Sequence, residues 1–149
     1  MTTLRLHVQY ASTTIAIPTR TQFRKWAKVA VRVETEVTIR IVDAEESRQL
    51  NSMYRGKDYA TNVLTFPLTE EPYLMGDIII CAPVVEYEAN SQGKSLESHY
   101  AHLTVHGILH LHGYDHETEP QAELMESLET AIVMKLGYPS PYLIIKGAC

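Results

Sequence analysis

Three histidines in the segment VHGILHLHGYDH, residues 105–116, have the type and spacing of metal ligands. His106, His110 and His116 follow the pattern H-x-x-x-H-x-x-G-x-x-H. On an α-helix, positions i and i+4 share one face, so the first two imidazoles can hold one ion. Gly113 permits the positive φ that ends a helix, after which the chain can return the third histidine to the same ion. Three neutral imidazoles leave one coordination position open for water, as in a catalytic rather than a structural zinc site.

The alternative interpretation of this helix is a run of surface or core histidines. A single i,i+4 pair is weak support for metal binding, but a glycine stop and a third histidine at the right interval make coincidence much rarer. His102 lies one turn before His106 and could donate to a ligand, although a packed or solvated histidine is the simpler role. His112 points away from His110 and receives no role. Cys81 could be a fourth ligand, but a buried cysteine in a central strand is favoured.

The spacing is that of a zinc protease, yet the residue that a protease needs most is missing. In H-E-x-x-H enzymes the glutamate after the first histidine takes a proton from the water, whereas this chain has Gly107 there. Asp115 is the nearest acidic candidate. It could transfer protons or orient the neighbouring His116, and the sequence favours neither role.

A second polar cluster occupies YRGKDYATNVLTFP, residues 54–67. Arg55 is its most informative member, because a guanidinium is always charged and can bind phosphate oxygens through two hydrogen bonds. Its simpler role is a cation near a helix C-terminus, which stabilises the helix by ~0.3–1 kcal/mol, and physical reasoning alone favours that role. Thr61 and Asn62 most simply satisfy the turn.

Periodicity places these residues on an α/β framework. Strands are predicted at 4–10, 37–43, 61–67 and 77–82, the third as an edge strand that stops at Pro67 before an acidic loop at 68–76. Helices are predicted at 19–33, 44–56, 83–92, 95–112 and from a capping box at Thr118 to Gly137. The first helix is expected to bury Phe23, Trp26, Ala27, Ala30 and Val33. The order β-α-β-α-β-β-α-α-α predicts a layered α/β fold with a small mixed sheet, as one domain over residues 1–149.

Composition is that of an ordinary globular protein, with 149 residues, 45% hydrophobic and 21% charged. No apolar run approaches the ~20 residues of a membrane span, and the N-terminus has no signal-peptide pattern. Cys81 and Cys149 form no disulfide framework, so the cytoplasm is the expected compartment. The net charge of −5 does not indicate nucleic-acid binding, although a local basic face is compatible with an acidic total.

The segments HGILHLHGYDH, YRGKDYATNVLTFP and MGDIIIC together resemble the YbeY family of bacterial rRNA maturation factors, over about residues 34–142. The resemblance implies a small mixed four-stranded sheet with one antiparallel strand, about five flanking helices and a metzincin-like zinc helix. It implies a zinc-dependent endoribonuclease that acts on single-stranded RNA, in 3′-end maturation of 16S rRNA and in ribosome quality control. The zinc histidines of the family map onto His106, His110 and His116, and its functional arginine maps onto Arg55.

This resemblance sets the expected partners: single-stranded RNA, rRNA and the small ribosomal subunit, one zinc ion per chain, and neither membrane nor DNA. A basic stripe at intervals of four could follow the RNA backbone, although such a run is usually a solvated helix face: Arg20, Arg24, Lys28 and Arg32. The chain departs from the family pattern at Ala60, Thr65 and Met75, where Pro, Ser and Leu are common. None of these three is a proposed ligand.

RNA chemistry also accounts for the missing glutamate. Zinc can lower the pKa of bound water to ~7, and zinc with Arg55 can stabilise the charge that gathers on a phosphodiester. The RNA 2′-OH is an alternative nucleophile. Two rival functions remain open: a metal hydrolase or protease on a metzincin-like frame, against which Gly107 counts, and a non-catalytic ribosome-assembly factor with a structural zinc.

Overall fold

The computed structural model describes residues 3–142, which form four strands and five helices. In chain order the elements are β1 (Leu4–Ala11), α1 (Arg20–Ala30), β2 (Thr35–Val42), α2 (Ala44–Arg55), β3 (Val63–Thr69), β4 (Leu74–Cys81), α3 (Ala82–Gln92), α4 (Leu96–Leu111) and α5 (Glu119–Lys135). The sheet order is β1-β2-β4-β3; β1, β2 and β4 are parallel, and β3 is antiparallel to β4. The predicted element order and mixed sheet are therefore confirmed. Cys149 lies outside the described residues.

The two central strands explain where the core sits. Side chains alternate across a strand, and the members of β2 and β4 that face α1 and α4 are fully buried: Val37, Ile39, Ile41, Ile78 and Ile80. The opposite face is covered in part by α2, over a smaller cluster of Val42, Leu64, Ile79 and Cys81. Cys81 is only 1% exposed, as expected for a buried cysteine in a central strand. None of the helices formed by residues 3–142 is long and apolar enough to cross a membrane.

Three predicted boundaries were wrong, and tertiary pairing explains them. The helix α1 ends at Ala30, so Val33 lies beyond it and is 51% exposed instead of buried. The strand β3 does lie at the sheet edge but continues through Pro67 to Thr69, because an edge strand can lose one backbone donor. The strand β4 begins at Leu74 and not at residue 77, because residues 74–76 pair with β2, which shortens the predicted acidic loop.

Local capping signals position the histidine-bearing segment as predicted. The Ser95 side chain accepts a hydrogen bond from the Ser98 backbone and begins α4, and a capping box between Thr118 and Gln121 begins α5. Between the two helices, Gly113 adopts a φ of +97°, a backbone conformation that residues other than glycine rarely adopt. The turn therefore lies directly after α4, where the third histidine must leave the helix and return.

Gly107 contacts the sheet, which accounts for the absence of a glutamate at that position. A Cβ atom built on Gly107 would lie 2.9 Å from Ile78 Cδ1 and 3.1 Å from Ile78 Cγ2. Ile78 is fully buried in β4, so α4 reaches the sheet closely only because position 107 has no side chain.

We expect Gly107→Glu to lower the free energy of unfolding by about 3 kcal/mol or more, because the new carboxylate must enter the packed core. Urea denaturation measures this loss. Gly107→Ala is the milder control, in which helix propensity offsets part of the steric cost. Ile78→Val removes Cδ1, the atom nearest to a side chain at position 107. The double variant Gly107→Ala, Ile78→Val should therefore lose less stability than the sum of the two single variants. Wild-type stability of Gly107→Glu would show that position 107 opens to solvent.

Candidate active site

The structure brings the three predicted ligand histidines together. The helix α4 carries His106 and His110 one turn apart, and the turn after it returns His116. Their ring centroids are separated by 6.2 Å for His106 and His110, 5.7 Å for His106 and His116, and 6.0 Å for His110 and His116. All three rings line one groove of about 680 Å³, whose other wall is formed by the end of α2 and by β3.

The same nitrogen of each ring faces a protein acceptor. His106 Nδ1 donates to Glu129 Oε2 at 3.2 Å, and His110 Nδ1 donates to the Tyr114 carbonyl at 2.9 Å. His116 Nδ1 lies 3.4 Å from Asp115 Oδ1. Within residues 3–142 the three Nε2 atoms make no hydrogen bond. A neutral imidazole whose Nδ1 holds the proton presents its Nε2 lone pair, which is the form that binds a metal ion.

The donor set therefore fits a three-histidine zinc site in chemistry, while the placement of the rings is too open. As they stand, no three His, Cys, Asp or Glu side chains of the described chain are arranged to hold a metal ion. With zinc–nitrogen distances near ~2.1 Å, tetrahedral ligation puts imidazole centroids roughly 5 Å apart, about 1 Å closer than the separations here. The Nδ1 contacts already orient the rings, so this arrangement differs from a zinc-bound one in the distance between the rings.

Glu129 is a site residue that the sequence analysis missed. This α5 residue is 1% exposed, and its carboxylate accepts hydrogen bonds from His102, His106 and the Tyr142 hydroxyl. Burial raises the pKa of the Glu129 carboxyl, but the hydrogen bonds from His102 and His106 outweigh burial and lower that pKa to about 2. Burial lowers the pKa of His102, so a neutral imidazole donates to an ionised carboxylate. His102 is thus packed, as expected, and also shares this carboxylate with a predicted ligand.

A signal for Glu129 was present in the pattern of α5. The buried residues of this helix are Met125, Glu129, Ile132 and Val133, so the carboxylate occupies the apolar face at helical spacing. A carboxylate on such a face must be paired, because an isolated buried charge is too costly. The many acidic residues around it masked this signal.

Arg55 lines the same groove as the three histidines. It is the last residue of α2, so a helix-end cation remains one of its roles. Its guanidinium is exposed and forms no ion pair with any residue of the described chain, whereas Arg48 on the same helix bonds to both Glu45 and Asp58. Of the other residues in its segment, Asn62 bonds to Glu88 and to the next backbone amide, which agrees with the predicted turn role.

Asp115 also lines the groove, and its contacts support the orienting role more directly than proton transfer. Its Oδ1 accepts a hydrogen bond from the His116 backbone amide at 2.7 Å and lies beside the ring of the same residue. The carboxylate is therefore held against one predicted ligand. Its position in the groove leaves proton transfer open.

The remaining predicted residues lie apart from the groove. The stripe on α1 is exposed, but none of its members lines the groove: Arg20, Arg24, Lys28 and Arg32. Arg20 donates to the Val8 carbonyl and stacks 4.8 Å from the Tyr10 ring centroid, which gives it a structural role. His112 accepts from the Arg32 backbone amide and bonds to the Ile108 carbonyl, away from the three histidines as expected.

Comparison with known proteins extends across nearly the whole chain. The family model for Endoribonuclease YbeY matches residues 7–137. A protein of that name from Methylobacillus flagellatus is 68% identical over 142 residues, which cover 95% of both chains. One from Nitrosomonas europaea is 56% identical over 141 residues, which cover 95% of this chain and 86% of that one. A Thermotoga maritima protein solved in solution is 26% identical with a TM-score of 0.55, over 91% of this chain and 92% of that one.

Proposed function

This chain belongs to the YbeY family of endoribonucleases, and from that premise we propose that it is a zinc-dependent endonuclease for single-stranded RNA. The family supports hydrolysis of RNA. The finer parts of the proposal are zinc as the metal, 16S rRNA 3′ ends in small-subunit assembly as the substrate, ribosome quality control as a second role, and the cytoplasm as the place of action. They rest on the motif resemblance, and zinc also agrees with the three histidines of the groove.

The observation that carries the proposal is the shared groove. Among residues 3–142, no group bonds to the Nε2 atoms of the three histidines or forms an ion pair with Arg55, and all four side chains line the same groove. Three imidazoles are the ligand set of catalytic zinc sites, and a guanidinium is the side chain best suited to two oxygens of a phosphate. A peptidase would need an acidic residue after the first histidine, and Gly107 contacts the sheet instead.

The roles of the protein groups follow from their contacts. The three histidines would hold the ion, which when bound supplies Lewis-acid charge stabilisation and makes water a stronger acid. Arg55 binds the scissile phosphate and stabilises the charge that develops on its oxygens. Glu129 and Asp115 hold His106 and His116 in place, and Asp115 is also within the groove to move a proton.

The proposal is tested with three substrates: an RNA duplex with a single-stranded 3′ tail, the fully paired duplex, and an unstructured peptide. The purified protein should contain about one zinc per chain and should cut the tail only. Product ends, read by phosphatase and ligase treatment, distinguish attack by water from attack by the 2′-OH. Peptide cleavage, or RNA cleavage that persists after the metal has been removed, would contradict the proposal.

Replacing Glu129 by Gln is expected to weaken zinc binding by ~10–100-fold, because it removes the charge that orients His106. Competition with a chromophoric chelator measures the affinity, and a melting curve checks the fold. Glu123→Gln is the matched control, since Glu123 is an exposed carboxylate on the same helix. Unchanged affinity in a folded Glu129→Gln protein would mean that this carboxylate serves only the packing of His102.

A further inference from the structure

An aromatic pair forms part of the groove wall opposite the histidines. Tyr54 and Phe66 lie with ring centroids 5.0 Å apart and planes at 67°, and both line the groove. Tyr54 precedes Arg55 on the last turn of α2, and Phe66 belongs to the edge strand β3. The pair thus joins the two elements that face α4 across the groove.

Tyr54 remains largely exposed although its ring contacts Phe66. The Tyr54 side chain is 61% exposed, and its hydroxyl makes no hydrogen bond to any residue in the range 3–142. Two other exposed tyrosines do have such contacts: the Tyr10 hydroxyl donates to the Pro18 carbonyl, and the Tyr142 hydroxyl donates to Glu129. The Tyr54 ring therefore contacts Phe66 at a steep angle between the ring planes, while much of the residue remains exposed to water.

The charge of the groove indicates that contacts other than ionic ones must hold RNA there. Among its described lining residues, Arg55 is the one permanent cation, while Asp115 and Glu117 are acidic. A bound metal ion adds positive charge beside the histidines and not along the rest of the bound RNA. Attraction to phosphates is therefore concentrated at one point, and neighbouring nucleotides need another source of affinity.

We propose that Tyr54, supported by Phe66, is a stacking platform for one unpaired base next to the phosphate that Arg55 binds. This inference rests on the proposed function and deepens it. Tyr54 and Arg55 both line the groove, so a nucleotide whose phosphate binds Arg55 has its base, one ribose away, in the same groove as the Tyr54 ring. Every base has a π-face, so stacking tolerates any sequence. In a duplex both faces of a base are covered by its neighbours, so the platform selects single-stranded RNA.

The test combines ring removal with base removal. The site of cleavage is mapped first, and a series of RNAs is then made with one abasic ribonucleotide at each flanking position. For the wild type, one abasic position should raise KM by about 5–150-fold, the range expected when a single stacked base is lost. Tyr54→Leu should raise KM for the intact RNA by a similar factor, with its zinc content and melting temperature unchanged.

The decisive result is the combination of the two changes. In Tyr54→Leu, the abasic position that mattered should cause little further loss, because ring and base act as one contact. Tyr54→Phe should restore most of the affinity, since the ring and not the hydroxyl stacks. Tyr87→Leu is the matched control: Tyr87 is 73% exposed on α3 and does not line the groove.

Failure of this inference is distinct from failure of the proposed function. If the wild type does not cut RNA, both are overturned. If it cuts RNA but no abasic position raises KM, or the penalties of Tyr54→Leu and base removal multiply, the platform alone is overturned. If Tyr54→Leu does not fold, Tyr54→Gln, which also lacks the ring and suits an exposed helix position, replaces it in the same combination with the abasic series.

Discussion

The His110→Ala protein is expected to lose its zinc and, with it, all measurable RNA cleavage. Removing a group that only orients a ligand costs ~10–100-fold in metal affinity, so removing a ligand should cost more than ~100-fold. His110 is partly exposed at the groove, and its Nδ1 contact is to the carbonyl of Tyr114, so the fold should survive. Elemental analysis after dialysis against a chelator, a cleavage assay and a melting curve on one preparation measure the three effects.

His112→Ala is the matched control for this experiment. His112 follows the same helix and bonds to the Arg32 amide and the Ile108 carbonyl, outside the groove. Its removal should cost some stability, ~1 kcal/mol for a lost hydrogen bond, while zinc content and cleavage stay at wild-type levels. Full zinc occupancy in the double variant His106→Ala, His110→Ala would rule out the proposed ligand set.

The Arg55→Lys protein is expected to fold and to keep its zinc, but to turn over RNA ~10²–10³-fold more slowly, which corresponds to about 3–4 kcal/mol. Lysine keeps the positive charge but lacks the planar guanidinium that can donate two parallel hydrogen bonds to phosphate. Arg55→Ala should be slower still. The measurement is turnover of a single-stranded RNA at saturating concentration, with a zinc assay and a melting curve alongside.

Arg48→Lys is the control for replacing a guanidinium by an ammonium group on the same helix. The Arg48 guanidinium already bonds to Glu45 and Asp58, so its replacement should leave turnover unchanged. If Arg55 only stabilises the end of α2, then Arg55→Lys should also turn over normally and lose a few tenths of a kcal/mol at most. Near wild-type turnover in Arg55→Lys would therefore return Arg55 to that structural role.

The sequence alone was enough to predict the elements whose signals are local. Ser95, the capping box at Thr118 and the glycine stop at Gly113 lie where the structure has the helix ends. These signals work because a helix closes hydrogen bonds between residues only four positions apart. The same periodicity put His106 and His110 on one face, so the centre of the candidate site was predictable from spacing.

Strand boundaries were less predictable, because each depends on a partner far along the chain. The first residues of β4 pair with β2, from Leu74 opposite Thr35 onward, and the acidic residues before them suggested a loop. A proline would end a central strand, but Pro67 lies in β3 at the edge of the sheet, where the strand can continue through it.

The tertiary structure alone decided which groups from different elements meet. Glu129 reaches His106 from 23 residues away, Gly107 contacts Ile78 of the sheet, and Phe66 of β3 packs against Tyr54 of α2 in one wall of the groove. Such contacts follow from how helices pack on the sheet, and packing depends on the shapes of many side chains at once. Local periodicity determines which way a side chain points, but the residue that it meets is determined only when the elements close around the core.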